Sequence, residues 1–144
     1  MTNFLLWLFG TWSNTRQAQS APSLYKSVFV RWEQNGEFIN SIHWDRGTSE
    51  NPYLKTYKKL VEVSNKEVIL EHWGGTYSGL KRNEECDMTL KYDGTVWMGQ
   101  FDTDNIHAEL SVYSNKLFMR DRFLDSTGRI IWGADETYKY LRVG

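Results

Sequence analysis

Apolar and polar positions alternate along most of the chain, in short runs separated by turn-forming pairs. Leu24 to Trp32 and Glu37 to Trp44 flank Asn35-Gly36, a strong signal for a tight hairpin. Thr56 to Val63 and Glu67 to His72 flank Asn65-Lys66, and Met88 to Tyr92 and Thr95 to Phe101 flank Asp93-Gly94. Ile106 to Tyr113 and Lys116 to Phe123 flank Ser114-Asn115, and Arg129 to Trp132 is expected to face Tyr138 to Arg142 across a loop. This reads as about ten short strands joined mostly by tight turns. A meander of that length must hide two edges, and closure into an antiparallel up-and-down barrel does so. The interior of such a barrel admits a small ligand. Met1 to Phe9 is apolar but too short to span a membrane, and it lacks the basic flank and cleavage site of a signal peptide. It predicts a short N-terminal helix, so the expected architecture is all-β, one barrel domain over residues 1–144.

Composition narrows the function. A net charge of −1 and a pI near 6.3 argue against a nucleic-acid footprint, and no membrane partner is expected. Aromatics reach 15%, with seven Trp and eight Tyr, side chains suited to lining a ligand pocket as well as to filling a core. The lone Cys86 excludes an internal disulfide and fits a reducing compartment. His43, His72 and His107 lack metal-ligand spacing, no Gly-x-Ser-x-Gly elbow occurs, and Gly74-Gly75 has no following helix to make a phosphate loop.

Two motifs remain. Gly10-Thr11-Trp12 follows the helical start, and Arg142 ends the last strand. This resembles lipocalin-like (calycin) barrels, which implies that Trp12 closes the floor and Arg142 stacks on it. The second motif is the run Met119-Arg-Asp-Arg-Phe-Leu-Asp-Ser-Thr-Gly-Arg-Ile-Ile-Trp-Gly133, with two Asp and two Arg inside its first seven residues, then Tyr138. Charges at strand spacing late in an all-β chain often point into a lumen.

Taken in order, Pro22-Ser23-Leu24-Tyr25, Asn51-Pro52-Tyr53 with Lys55, Tyr57, Lys58 and Lys59, Glu85-Cys86-Asp87, Asp121-Arg122-Phe123-Leu124-Asp125 and Trp132-Gly133 with Tyr138 resemble the T-type phycobiliprotein lyases (CpcT/CpeT), in the short version encoded by cyanophages. The resemblance implies a lyase that binds an open-chain tetrapyrrole, phycoerythrobilin or phycocyanobilin, as substrate. It would assist thioether attachment to a cysteine of a phycobiliprotein β-subunit, with phycoerythrin favoured. It further implies no permanent cofactor, a bilin reductase as candidate donor, and a cyanobacterial cytoplasm, with the gene carried by a phage. Asp121 is implied as the carboxylate beneath the central rings, and a bound, protonated bilin would be the better electrophile. Strand parity lets only one of Asp121 and Arg122 face the lumen directly.

The departures also matter. Leu54 and Thr56 stand where the family has arginines, which leaves Lys55 or Lys59 as substitutes. Arg31, Arg122 or the strand carrying Tyr53, Lys55, Tyr57 and Lys59 are candidates for the propionates, Trp44, Trp97 and Trp132 for stacking walls, and Cys86 for a pocket thiol. Plainer readings stand beside these: an exposed, ion-paired strand end at Asp121-Arg122, a turn role for Asp125, ordinary packing for Cys86, and a solvated face for Lys55, Lys58 and Lys59. A barrel that carries a bilin without transferring it is the alternative function. Exposed strand edges or the apolar helix are candidate surfaces for a homodimer.

Overall fold

The structure, a computed structural model, describes residues 2–76, 79–133 and 135–143. Helix α1 (Phe4–Leu8) leads into β1 (Gly10–Ser13), and a second short helix, α2 (Thr15–Ser20), precedes β2 (Val28–Asn35) and β3 (Phe38–Asp45). There follow β4 (Leu54–Ser64), β5 (Glu67–Thr76), β6 (Gly79–Arg82), β7 (Met88–Tyr92), β8 (Trp97–Asp102), β9 (Ile106–Val112), β10 (Lys116–Leu124), β11 (Ile130–Gly133) and β12 (Tyr138–Arg142). A single 3-10 turn, Glu84–Cys86, lies between β6 and β7. Ten strands close into an antiparallel ring in the order β1-β2-β3-β4-β5-β7-β8-β9-β10-β12.

Alternation decides which way each strand faces. In β2, Val28, Val30 and Trp32 are buried inward while Arg31 is exposed; in β10, Leu117 and Met119 are buried and Phe118 and Arg120 turn outward. The first hairpin pairs Asn35 with Phe38, so Gly36 and Glu37 form the loop. Gly36 takes φ +62° while Glu37 does not take a positive φ, which is what a type II′ turn requires.

The end of the barrel that holds α1 is plugged. Phe4 and Leu8 are fully buried against Trp97 and Trp12, and the Trp12 indole donates to the Leu8 carbonyl at 2.9 Å. Arg142 pairs with Trp12 across β12 and β1, lays its guanidinium 4.3 Å from the ring centroid, and donates to the carbonyls of Phe9 and Trp7. One side chain thus satisfies the orphan carbonyls of α1 and covers the floor tryptophan. Helix α2 was not foreshadowed. Its Gln17 exchanges two hydrogen bonds with the backbone of Thr137 and Lys139, standing in for a strand at the edge of β12.

The opposite end is not fully laddered. β5 pairs with β7 through Glu67–Leu70 and with β6 through Trp73–Thr76, on the same side. β10 likewise pairs with β12 through Lys116–Met119 and with β11 through Arg122–Leu124. Each long strand therefore changes partner over a two-residue gap, Glu71-His72 in one and Arg120-Asp121 in the other. The expectation that β11 faces β12 is corrected here: both lie along β10, one beyond the other. The run before β2 is also shorter in strand than its apolar pattern suggested, because Pro22–Leu24 form a turn and the strand begins at Val28.

Candidate functional site

Two connected compartments occupy the open half of the barrel. The outer one, about 330 Å³, lies between the start of β2, the end of β3 and the β11–β12 region, with Tyr53, Trp132, Tyr138 and Tyr140 in its wall. The inner one, about 140 Å³, lies against β4, β5, β9 and β10 and is mostly apolar, walled by Leu54, Leu70, Met88, Phe101 and Phe123. His43, Met119, Asp121 and Trp132 border both.

Asp121 stands at this junction. It follows Met119 on the inward face of β10, and Phe123 continues that face, as parity required. Its carboxylate makes no hydrogen bond or ion pair among the described residues. Burial pushes the carboxyl up to about 6, Lys58 opposes that rise, and Glu109 adds to it. The residue is surrounded by protein but keeps some accessible surface, and that surface belongs to the lumen. Gly133 explains how β11 comes so close. It takes φ +87°, and a Cβ there would collide with the Asp121 carbonyl oxygen. Only glycine permits that approach, which hangs Trp132 over the junction, edge-on to Phe123 at 5.0 Å.

The inward face of β4 carries Leu54, Thr56, Lys58 and Leu60. Lys58, named in the motif but given no site role and grouped with a solvated face, instead points into the lumen. Its ammonium donates to His72 Nδ1 at 2.8 Å and lies 6.0 Å from the centre of the Phe101 ring. Burial pushes its pKa down to about 8, against the attraction of Asp121, Cys86 and Asp87. His72 and His43 are both pushed down to about 4, by burial first and by Lys58 second, so both are neutral at ordinary pH. His43 Nε2 meets Ser41 Oγ at 2.9 Å, and Ser41 continues to Thr56 Oγ1. The signal for these residues was phase: Lys58 shares parity with Leu54 and Leu60, His72 with Val68 and Leu70, His43 with Ile39 and Ser41.

Cys86 is buried in the inner wall, and burial pushes its thiol up, with Lys58 pulling the other way. Beside it, burial works against ionisation of Asp87, but the Arg82 guanidinium and the His72 N–H hold that carboxyl below the usual range. This bracket fixes the gap in β5, since Asn83 N–H also donates to the His72 carbonyl.

Of the side chains assigned to the site from the sequence, Asp121, Tyr53, Trp132 and Cys86 border the lumen. The others do not, and each has a physical reason. Arg122 and Arg120 point outward and share Asp135, at 3.2 Å and 2.7 Å. Lys55, Tyr57 and Lys59 lie on the outer face of β4, where Lys59 covers the rings of Phe38 and Trp73 and reaches Glu37 at 3.6 Å. Lys55 sits over Tyr57, whose ring meets Phe38 edge-on. Arg31 lies over Trp44, itself stacked on Phe29, so both belong to an outer aromatic ladder. Trp97 is part of the plug, bonded through its indole N–H to Asn3. Asp125 caps its own turn, accepting from Thr127 and Arg129.

Among the described residues no three metal-ligating side chains cluster, and no helix is long and apolar enough to cross a membrane. Neither a protein-family model nor a curated protein matches the chain. Solved structures do. The CRL protein of Arabidopsis aligns with a TM-score of 0.73 at 12% identity, over 97% of this chain and 95% of that one. The T-type phycobiliprotein lyase CpeT from Prochlorococcus phage P-HM1 aligns with a TM-score of 0.76 at 17% identity, over 99% of this chain and 96% of that one. The fold expected from the sequence resemblance is therefore the fold observed: this chain shares its barrel fold with the T-type phycobiliprotein lyase of that phage.

Proposed function

We propose that the protein is a bilin lyase, which holds an open-chain tetrapyrrole in the lumen and presents it to a cysteine of a phycobiliprotein β-subunit. The observation that carries this reading is Asp121: a lumen carboxylate without a hydrogen-bond partner in the chain, placed where two compartments meet. A tetrapyrrole has N–H groups at its centre and extends to both sides of them. Laid across the junction, its central nitrogens donate to Asp121 while its outer rings occupy the two compartments. Trp132, Tyr53 and Phe123 supply ring faces and edges for the conjugated system. Ionised Asp121 stabilises the protonated bilin, and the buried setting strengthens that attraction.

The chemistry asked of the protein is modest. The acceptor thiol adds across an exocyclic double bond of the terminal ring: an S–C bond forms, the thiol proton passes to the bilin, and no oxidant is consumed. Fixing the bilin's conformation and excluding other nucleophiles is catalysis by positioning. Phycoerythrobilin is the bilin of choice, and phycoerythrin the acceptor, with a bilin reductase as donor.

Adding phycoerythrobilin to the purified protein is expected to sharpen and red-shift its absorption. Asp121→Asn is expected to weaken binding by ~10–100-fold and to lose most of the shift, the loss of a charge-assisted hydrogen-bond set. Apo-phycoerythrin β-subunit should then acquire a chromophore that survives denaturation. A shift without an adduct would make the protein a carrier, and an unchanged spectrum would remove the bilin reading altogether.

A further inference from the structure

The inner compartment has a chemical character of its own. Lys58 is the lysine or arginine that borders it, and among the described residues no carboxylate lies within ion-pair distance of its ammonium. Its hydrogen bond goes to the neutral His72 ring, which supplies no counter-charge and leaves two of the three ammonium donors uncommitted among the described residues. Asp87, next to Cys86 in the chain, is committed to the Arg82 guanidinium and the His72 N–H, and Glu109, which borders the compartment, is paired with Arg120 at 3.5 Å. The other lysines and arginines on β2, β4 and β10 are turned outward, over rings or against acids. Lys26, at the mouth, is exposed to water. An ammonium in this mostly apolar chamber with no carboxylate in ion-pair reach is costly, and the cost is relieved when a ligand brings one there.

We infer that the inner compartment is an acid-recognising subsite, in which Lys58 receives a carboxylate of the ligand. Resting on the bilin reading, this carboxylate is a propionate. The lumen then has two poles: a hydrogen-bond acceptor at Asp121 and a cationic donor at Lys58, facing the junction from β10 and β4. A ligand that offers N–H groups to the first and an acid to the second is bound one way round. Lumen positions 54 and 56 on the same face hold Leu54 and Thr56, so the charge of this strand enters the cavity at Lys58.

The test pairs a change in the ligand with a change in the protein. Phycoerythrobilin and its dimethyl ester are titrated into the parent protein, Lys58→Met, Lys58→Gln and, as an outward-facing control, Lys55→Met. The parent is expected to favour the free acid by about tenfold or more. That preference should collapse in both Lys58 variants, with the ester's own affinity little changed, and persist in Lys55→Met. A preference that survives in the Lys58 variants would overturn the assignment and move the acid contact to the mouth. Equal binding of acid and ester by the parent would overturn it without any variant. If the parent binds neither form, the bilin reading itself falls and takes this subsite with it.

Discussion

Asp121 costs the folded chain free energy at neutral pH, and that cost is measurable. Its carboxyl is pushed up to about 6 in the fold from the ordinary 3.8, so the folded state binds more protons in between. Stability contributed by the group is therefore present below that window and lost as pH rises through it. Asp121→Asn is expected to match the parent near about pH 3.5 and to exceed it by ~1–3 kcal/mol near about pH 7.5, in urea denaturation. A variant less stable than the parent at neutral pH would mean that the carboxylate supports the fold instead of awaiting a ligand. At this scale the sequence was informative about identity and poor about direction. Asp121, Tyr53, Trp132 and Cys86 were legible because the motifs named them. Lys58 was hidden among three lysines, and only the phase of Leu54 and Leu60 separates it from Lys55 and Lys59. Strand parity is a one-residue distinction, and motif spacing does not carry it.

Among the elements, β11 and the plug make separable predictions. Gly133→Ala places a methyl group inside the contact with the Asp121 carbonyl, at a positive φ that alanine resists. The ring below should survive, with a loss of about 1–3 kcal/mol, while β11 lifts and Trp132 leaves the junction. Weaker bilin binding together with red-shifted Trp132 emission is the expected signature, read against Trp132→Phe; unchanged binding would show that β11 is dispensable. Arg142→Ala acts at the far end. It removes two hydrogen bonds to α1 carbonyls and the cover on Trp12, and should lower stability by about 1–3 kcal/mol while leaving bilin affinity within about twofold. The hairpins were readable because a glycine at a turn is a local signal. The plug was readable because a Trp near the start of the chain and an Arg near its end are brought together by the ladder that closes the barrel. The partner changes of β5 and β10 were not, since no local pattern says that one strand edge serves two neighbours.

For the molecule as a whole, acid is the expected weakness. His43 and His72 are held neutral down to about 4, whereas the unfolded chain takes up protons near 6.5. Their contribution is present above that window and lost as pH falls through it, and Asp121 works the other way over part of the range. Two groups against one predict a net fall of about 2–4 kcal/mol between pH 6.5 and 4. Denaturation midpoints across that range check it, and a flat profile would mean that water reaches the inner compartment freely.

The two gaps, at Glu71-His72 and Arg120-Asp121, divide the rim of the barrel in a way that the floor is not divided. Toward the plug every strand of the ring is laddered to both neighbours. Toward the mouth, β2 to β6 form one leaf and β8 to β11 another, and among the described residues no ladder joins β6 to β8 or β11 to β2. The vessel is thus a bowl with a slit lip. Spreading the leaves breaks side-chain contacts but no backbone ladder, so the aperture is compliant while the base stays stiff. If the proposed bilin is wider than the resting opening, it would enter and leave by spreading this lip and not by loosening the base.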